Sequence, residues 1–186
     1  DRAGVEVHGG AHRVRDRHGF LRVRRRELLG IGRAGHCGGG DRDDLGGDRG
    51  RGLLASVPKP RIACSQGYCL GGGLVIALQA DMRIASADAM FGIPAARMGI
   101  AYGIVPTERL VALIGPARTR LMLYTARRFT ASEAVGMGLA EQVFPTEDIV
   151  DECVKRARTI ADNAPLSVQA SKFIVDQLQK EKAARD

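Results

Sequence analysis

The sequence predicts an α/β fold, because short strand-like runs alternate with helix-forming stretches from residue 57 onward. Residues 61–66 form an apolar run that suits a short buried strand. Residues 72–80 follow as a helix, and residues 82–85 as the next strand. Alternation of strands and helices is typical of α/β domains. We therefore assign the readable part of the chain to this class.

Proline, glycine and threonine mark the elements that follow. Residues 90–92 read as a short strand, and residues 106–114 as a helix that Gly115 ends. Pro116 then begins another helix, since proline suits the first helical position and glycine suits a helix stop. Residues 130–133 read Thr-Ala-Ser-Glu, a capping box whose role we interpret as structural.

The C-terminal third is predicted to be mainly helical. A strand closes at residues 143–145, and a long helix spans residues 147–162 before Asn-Ala-Pro at 163–165 breaks it. This helix carries an apolar stripe at helical spacing: Ile149, Val150, Cys153, Ala157 and Ile160. The final helix, 166–182, has an apolar side made of Val168, Phe173, Ile174 and Leu178.

Three consecutive glycines, Gly71, Gly72 and Gly73, stand between a strand-like run and a helix. Glycine lets the backbone approach a bound group closely, and the first N–H groups of a helix have no partner within it. Such a junction can stabilise an oxyanion, an effect typically worth about a hundredfold to a thousandfold in rate for one donor. The alternative for glycines taken alone is a bare tight turn.

The first 52 residues differ in composition from the rest. They contain 12 of the 28 lysines and arginines, all of them arginine, together with 14 of the 24 glycines and all four histidines. One interpretation is a domain boundary near Leu53, with residues 1–52 poorly ordered and residues 53–186 forming the domain. The other is that residues 1–52 are a wrong-frame translation of a GC-rich gene. The sequence leaves both open.

Charge and cysteine content restrict the possible partners. The net charge of +7 suggests nucleic acid, but the arginine cluster at 22–26 lacks interleaved aromatic residues. The four cysteines show no C-x-x-C spacing, so we expect reduced thiols and no metal site. No run approaches 18 apolar residues, and the N-terminus has no apolar signal segment. We expect a cytoplasmic protein with no membrane or nucleic-acid partner.

Residues 57–180 resemble the crotonase (enoyl-CoA hydratase/isomerase) superfamily. The resemblance lies in motifs that occur in order: KP-x-IA at 59–63, G-x-x-x-GGG at 67–73, D-x-RIA at 81–85, A-x-FG-x-P at 89–94 and T-x-x-EA-x-x-x-GL at 130–139. It implies a ββα spiral, incomplete at its N-terminal side, whose C-terminal helices support a trimer or a dimer of trimers. It also implies acyl-CoA substrates, as in fatty acid metabolism, with no cofactor besides the coenzyme A of the substrate.

The resemblance also implies site residues. Gly72 matches the glycine whose N–H polarises the thioester carbonyl, and Gly71 and Gly73 let the acyl chain and the helix start fit around it. The expected wall of the acyl-CoA site is formed by Tyr68, Leu70, Pro94 and Gly103. The expected contact for the phosphates of coenzyme A is Lys172. A core role for Leu70 and a solvated surface role for Lys172 are the alternatives. The loop with the other oxyanion donor is matched only faintly, by residues 37–41, without a preceding strand pattern.

Both glutamates that hydratases of this family use are replaced, by Val75 and Ala95. Neither side chain can perform acid–base chemistry, which typically contributes about a hundredfold to ten-thousandfold in rate. Tyr102 is a candidate substitute acid, or else a packed aromatic with one hydrogen bond. Two functions follow: an enoyl-CoA hydratase/isomerase-like protein, or a non-catalytic or truncated homologue that binds acyl-CoA or assembles with other subunits.

Overall fold

The computed structural model of the chain describes residues 5–8, 11–15, 20–23, 30–34 and 57–180. Seven of the described strands form the larger sheet: β1 Val5–His8, β2 Ala11–Arg15, β3 Phe20–Val23, β4 Gly30–Ala34, β5 Arg61–Ser65, β7 Met82–Ser86 and β10 Gln142–Phe144. Their spatial order is β1-β2-β3-β4-β5-β7-β10. Neighbouring strands from β1 to β4 pair antiparallel, whereas β4, β5, β7 and β10 all run parallel.

A smaller sheet of three strands carries the glycine junction at one end. It has the order β6-β8-β9, formed by β6 Tyr68–Leu70, β8 Met90–Gly92 and β9 Phe129–Thr130. Strands β6 and β8 are parallel, with Leu70 beside Gly92. Because β6 ends directly before Gly71, this sheet fixes where the glycine segment begins.

Five α-helices and a 3-10 helix complete the part of the chain that is described. They are α1 Gly72–Ala77, the 3-10 helix Pro94–Met98, α2 Ile104–Thr125, α3 Ala131–Met137, α4 Ile149–Ala161 and α5 Pro165–Leu178. Gly115 interrupts α2 with φ 77° and ψ 165°, as the sequence predicts. Thr130 caps α3 through its side chain and Glu133, so the capping box is confirmed.

The two faces of the larger sheet bury different cores. On one face Ala63 and Ala85 join a cluster that includes Leu74, Phe91 and Phe129. On the other face, their neighbours Ile62, Cys64 and Ile84 pack against Ile149, Cys153, Val154 and Ala157 of α4. Successive strand residues point to opposite faces, so β5 and β7 serve both cores. This arrangement confirms the apolar stripe predicted for α4.

Part of residues 1–52, for which the sequence left two interpretations open, contributes strands to the larger sheet. Strand β4 pairs in parallel with β5 over five residues, from Gly30 beside Arg61 to Ala34 beside Ser65. It also stands before residues 37–41, where no strand was expected. The backbone groups at the edge of β5 can pair with any neighbouring extended segment, whatever its composition. The pairing of a Gly- and Arg-rich segment therefore cannot be predicted from its residue types.

The final helix leaves most of its predicted apolar side uncovered in the single chain. Phe173 and Ile174 of that side are 52% and 56% exposed. Val168 is half-buried, and the polar Gln177 is buried. Helical periodicity shows which side is apolar but not what covers it.

Candidate active site

The glycine junction is held in a conformation that few residues adopt. Gly71 has φ 50° and ψ −113°, and it precedes the first residue of α1. Its N–H donates to the carbonyl of Gly92 at 2.9 Å. A positive φ favours glycine, so the sharp turn between β6 and α1 depends on the missing side chain at this position.

Gly72 lies at the first position of α1 and is exposed to solvent, whereas Gly73 is buried. The N–H of Gly72 has no carbonyl four residues earlier inside the helix with which to pair. A side-chain carbon built on Gly72 would meet no heavy atom within 4 Å. The space on the side-chain side of Gly72 is therefore open.

Tyr102 contacts the same turn from another part of the chain. Its hydroxyl donates to the carbonyl oxygen of Gly71 at 3.3 Å. That oxygen also accepts the N–H of Val75, at 3.0 Å, as the first hydrogen bond of the helix. The ring of Tyr102 is half-buried and packs against the larger core. Neither the spacing nor any local motif in the sequence indicates this contact.

Val75 and Ala95, which the resemblance matches to the two glutamates of the family, are apolar and buried. Val75 is 7% exposed and Ala95 is 6% exposed. Ala95 belongs to the 3-10 helix that begins at Pro94, and the ring of Pro94 lies 3.8 Å from where a Gly71 side-chain carbon would stand. Glu108 of α2 carries a carboxylate but is exposed to solvent. These two positions thus offer packing surface and no proton donor.

The expected site wall has an exposed, charged edge. Tyr68 is 47% exposed, and the guanidinium of Arg128 lies 4.9 Å from the centre of its ring. Leu70 is half-buried, and Gly103 is exposed at the start of α2. A cation over an aromatic ring restrains both groups, and the sequence did not indicate Arg128 because it lies 60 residues away.

Lys172 occupies a different environment from the one expected for a phosphate ligand or a solvated lysine. Its ammonium lies 2.5 Å from the Asp81 carboxylate and 3.3 Å from that of Asp176, and its side chain is only 9% exposed. Asp81 also accepts the backbone N–H and the guanidinium of Arg61. Burial raises the pKa of Asp81, but hydrogen bonds from Lys172 and Arg61 outweigh burial and lower the pKa overall. Lys172 is therefore part of a structural ion cluster.

Three expectations, on a second oxyanion donor, a metal site and a membrane span, can be compared only with the described residues. Residues 37–41, the faint match for a second oxyanion donor, lie outside them. Within the described ranges no group of three or more His, Cys, Asp or Glu residues is placed to hold a metal. In the same ranges none of the helices has the length and apolarity needed to cross a membrane.

Comparison with known proteins gives consistent matches. Residues 47–185 match the sequence model of the family described as "Enoyl-CoA hydratase/isomerase". The chain is 39% identical over 125 residues to the crotonyl-CoA hydratase of Syntrophomonas wolfei, covering 67% of this chain and 48% of that one. It is 36% identical over 124 residues to the short-chain-enoyl-CoA hydratase of Clostridium acetobutylicum, covering 67% and 48%.

Solved structures agree with these sequence matches. The enoyl-CoA hydratase from Bacillus anthracis superimposes with a TM-score of 0.66 at 33% identity, over 72% of this chain and 52% of that chain. The chain therefore spans about half the length of the relatives it matches.

Proposed function

This chain belongs to the enoyl-CoA hydratase/isomerase family, and we propose that it binds acyl-CoA thioesters at the junction of Gly71, Gly72 and Gly73. The N–H of Gly72 donates to the thioester carbonyl oxygen. The observation that carries the proposal is the exposed Gly72 at the start of α1, with open space on its side-chain side. An enolate formed from such a thioester would place its negative charge on the same oxygen.

The walls of the proposed site suit an acyl chain better than water. Val75 and Ala95 present apolar groups where a hydratase would hold its water, and Leu70 adds to this surface. A group that transfers a proton typically contributes about a hundredfold to ten-thousandfold in rate. We therefore propose acyl-CoA binding with little hydration activity. This loss also favours the second candidate, a non-catalytic homologue that binds acyl-CoA or serves as an assembly subunit.

We further propose a homo-oligomer, in keeping with the trimer that the family resemblance implies. Apolar side chains of α5 stand exposed in the single chain: Leu166, Phe173, Ile174 and Val175. Exposed apolar patches of this kind mark association surfaces in soluble proteins. Sedimentation of the purified chain tests the proposal, and a monomer at micromolar concentration would contradict it.

The binding proposal is tested by calorimetric titration of butyryl-CoA and of free CoA into the chain. Because free CoA lacks the carbonyl, tighter binding of butyryl-CoA measures the acyl contribution. Gly72→Val should remove that preference by filling the space beside the N–H. Gly136→Val is the matched control, since this exposed helical glycine of α3 also has no neighbour within 4 Å of an added carbon. Equal affinity of the unaltered chain for both ligands would contradict the proposal.

A further inference from the structure

We propose that Tyr102 is a positioning residue that fixes the direction of the Gly72 N–H by holding the peptide group between Gly71 and Gly72. This inference rests on the proposed function, since it concerns the donor that binds the thioester oxygen. The carbonyl of Gly71 and the N–H of Gly72 belong to one planar peptide group. A bond that fixes one end of the group therefore fixes the direction of the other.

This peptide group lies between two residues without side chains. A peptide group rotates when ψ of the residue before it and φ of the residue after it change together. Glycine on both sides removes the steric resistance that side-chain carbons would give to such a rotation. The Gly71–Gly72 peptide, like the Gly72–Gly73 peptide after it, is thus a point of this turn where local sterics restrain the direction of an N–H only weakly.

Among the residues that the structure describes, three hydrogen bonds restrain Gly71. Its N–H donates to Gly92 at 2.9 Å, and its carbonyl oxygen accepts the Val75 N–H at 3.0 Å and the Tyr102 hydroxyl at 3.3 Å. The first bond holds the peptide group before Gly71, while the other two hold the group that contains the Gly72 N–H. Of these two, the Tyr102 bond is the one made by a side chain, and mutation can remove it without altering the backbone.

The environment of Tyr102 suits a fixed anchor. The ring is half-buried and packs against the larger core. In the sequence Tyr102 lies between Gly99, which ends the 3-10 helix with φ 65°, and Gly103, which precedes α2. A phenylalanine ring would keep this packing and lose only the hydroxyl. The same hydroxyl bond also polarises the peptide group, which strengthens its N–H as a donor.

The geometry gives the Tyr102 hydroxyl a different role from that of a proton donor to substrate. Its hydrogen is engaged with the Gly71 oxygen, on the carbonyl side of the peptide group. Acting through the peptide, it would improve binding of the carbonyl oxygen without touching the substrate. Loss of Tyr102 should therefore weaken acyl recognition and leave recognition of coenzyme A itself unchanged.

The ligand test compares the unaltered chain with Tyr102→Phe. One hydrogen bond typically changes affinity about threefold to tenfold, so the preference for butyryl-CoA over free CoA should fall by about that factor. The infrared carbonyl band of bound butyryl-CoA, labelled with carbon-13 at the carbonyl, should move back toward its position in water. Tyr124→Phe is the control, because Tyr124 is 74% exposed on α2. An unchanged preference and band in Tyr102→Phe would overturn the inference.

A second measurement separates this inference from the proposed function. In the ligand-free chain, NMR relaxation dispersion at the Gly72 amide should show microsecond-to-millisecond exchange in Tyr102→Phe but not in Tyr124→Phe or the unaltered chain. A Gly72 amide as rigid in Tyr102→Phe as in the unaltered chain overturns the positioning role. Equal affinity of the unaltered chain for the two ligands overturns acyl binding instead. Melting temperatures within a few degrees of each other would show that both variants fold.

Discussion

The Lys172 ammonium on the last helix lies 2.5 Å from the Asp81 carboxylate, although 91 residues separate the two in the sequence. Asp81 in turn accepts the backbone N–H of Arg61 at 2.7 Å, at the start of β5. The contact therefore connects α5 to β5, an inner strand of the parallel part of the sheet. Asp81 thus has a structural role that involves the strand and the final helix together.

The first prediction concerns the stability that this contact provides. Lys172→Met should lower the free energy of unfolding by about 2 kcal/mol, because it removes a charge-assisted hydrogen bond from a partly buried carboxylate that then keeps only Arg61 as a partner. Lys155→Met is the matched control, since Lys155 forms a surface pair with Glu152 at 3.4 Å and is 75% exposed. Surface pairs of that kind contribute about 0–1 kcal/mol. Urea unfolding of both variants measures the difference, and equal losses would contradict the role of Lys172.

The second prediction is the acid sensitivity of the same cluster. The folded-state pKa of Asp81 is lowered: burial raises it, but the Lys172 and Arg61 hydrogen bonds outweigh burial. A lowered folded pKa contributes stability above the unfolded value of about 3.9, and this contribution is lost as the pH falls through the folded pKa. Urea unfolding at several pH values below about 5 should show the loss. The Asp81→Asn variant should be less stable at neutral pH, and its free energy of unfolding should fall less as the pH is lowered. A fall parallel to that of the unaltered chain would refute the role of Asp81 in the acid sensitivity.

The third prediction is low reactivity of a buried thiol pair. A hydrogen bond with Cys64 and then burial raise the pKa of Cys153 far above that of a free thiol. Thiolate is the reactive form, so iodoacetamide should leave both residues unlabelled in the native chain and label them in urea. Since the folded pKa is raised, the stability it contributes is present below about pH 8.5 and lost as the pH rises. Rapid labelling of Cys153 in the native chain, read by peptide mass spectrometry, would contradict the burial.

The fourth prediction concerns hydration. The chain should hydrate crotonyl-CoA slowly or not at all, because Val75 and Ala95 provide no acid or base. The double variant with glutamate at both positions should gain activity only if a second oxyanion donor is present, and each single variant should gain less. Turnover is measured by the loss of the enoyl absorbance. Robust turnover by the unaltered chain would contradict the prediction and direct attention to another acid.

Local signals predicted much of the fold. Gly115 ends a helix and Thr130 caps one, because each effect depends on residues within a few positions in sequence. The glycine junction is predicted in the same way, although the predicted strand stops at residue 66 and the short strand β6 before the glycines is missed. The ordered motifs align the chain with the family, so the apolar residues at positions 75 and 95 can be compared with the family's glutamates from the sequence alone.

The amino-acid sequence alone predicts the α/β class, the family, the glycine junction and the apolar residues at positions 75 and 95, since all of these are local patterns or ordered motifs. Tertiary structure decided the pairing of β4 with β5, the ion contact of Lys172 with Asp81 and the bond from Tyr102 to Gly71. It also decided that the apolar side of α5 stays exposed in the single chain. The physical reason is that these contacts join residues far apart in sequence. Composition and periodicity specify which groups can pair, but only the folded path of the chain brings a given pair together.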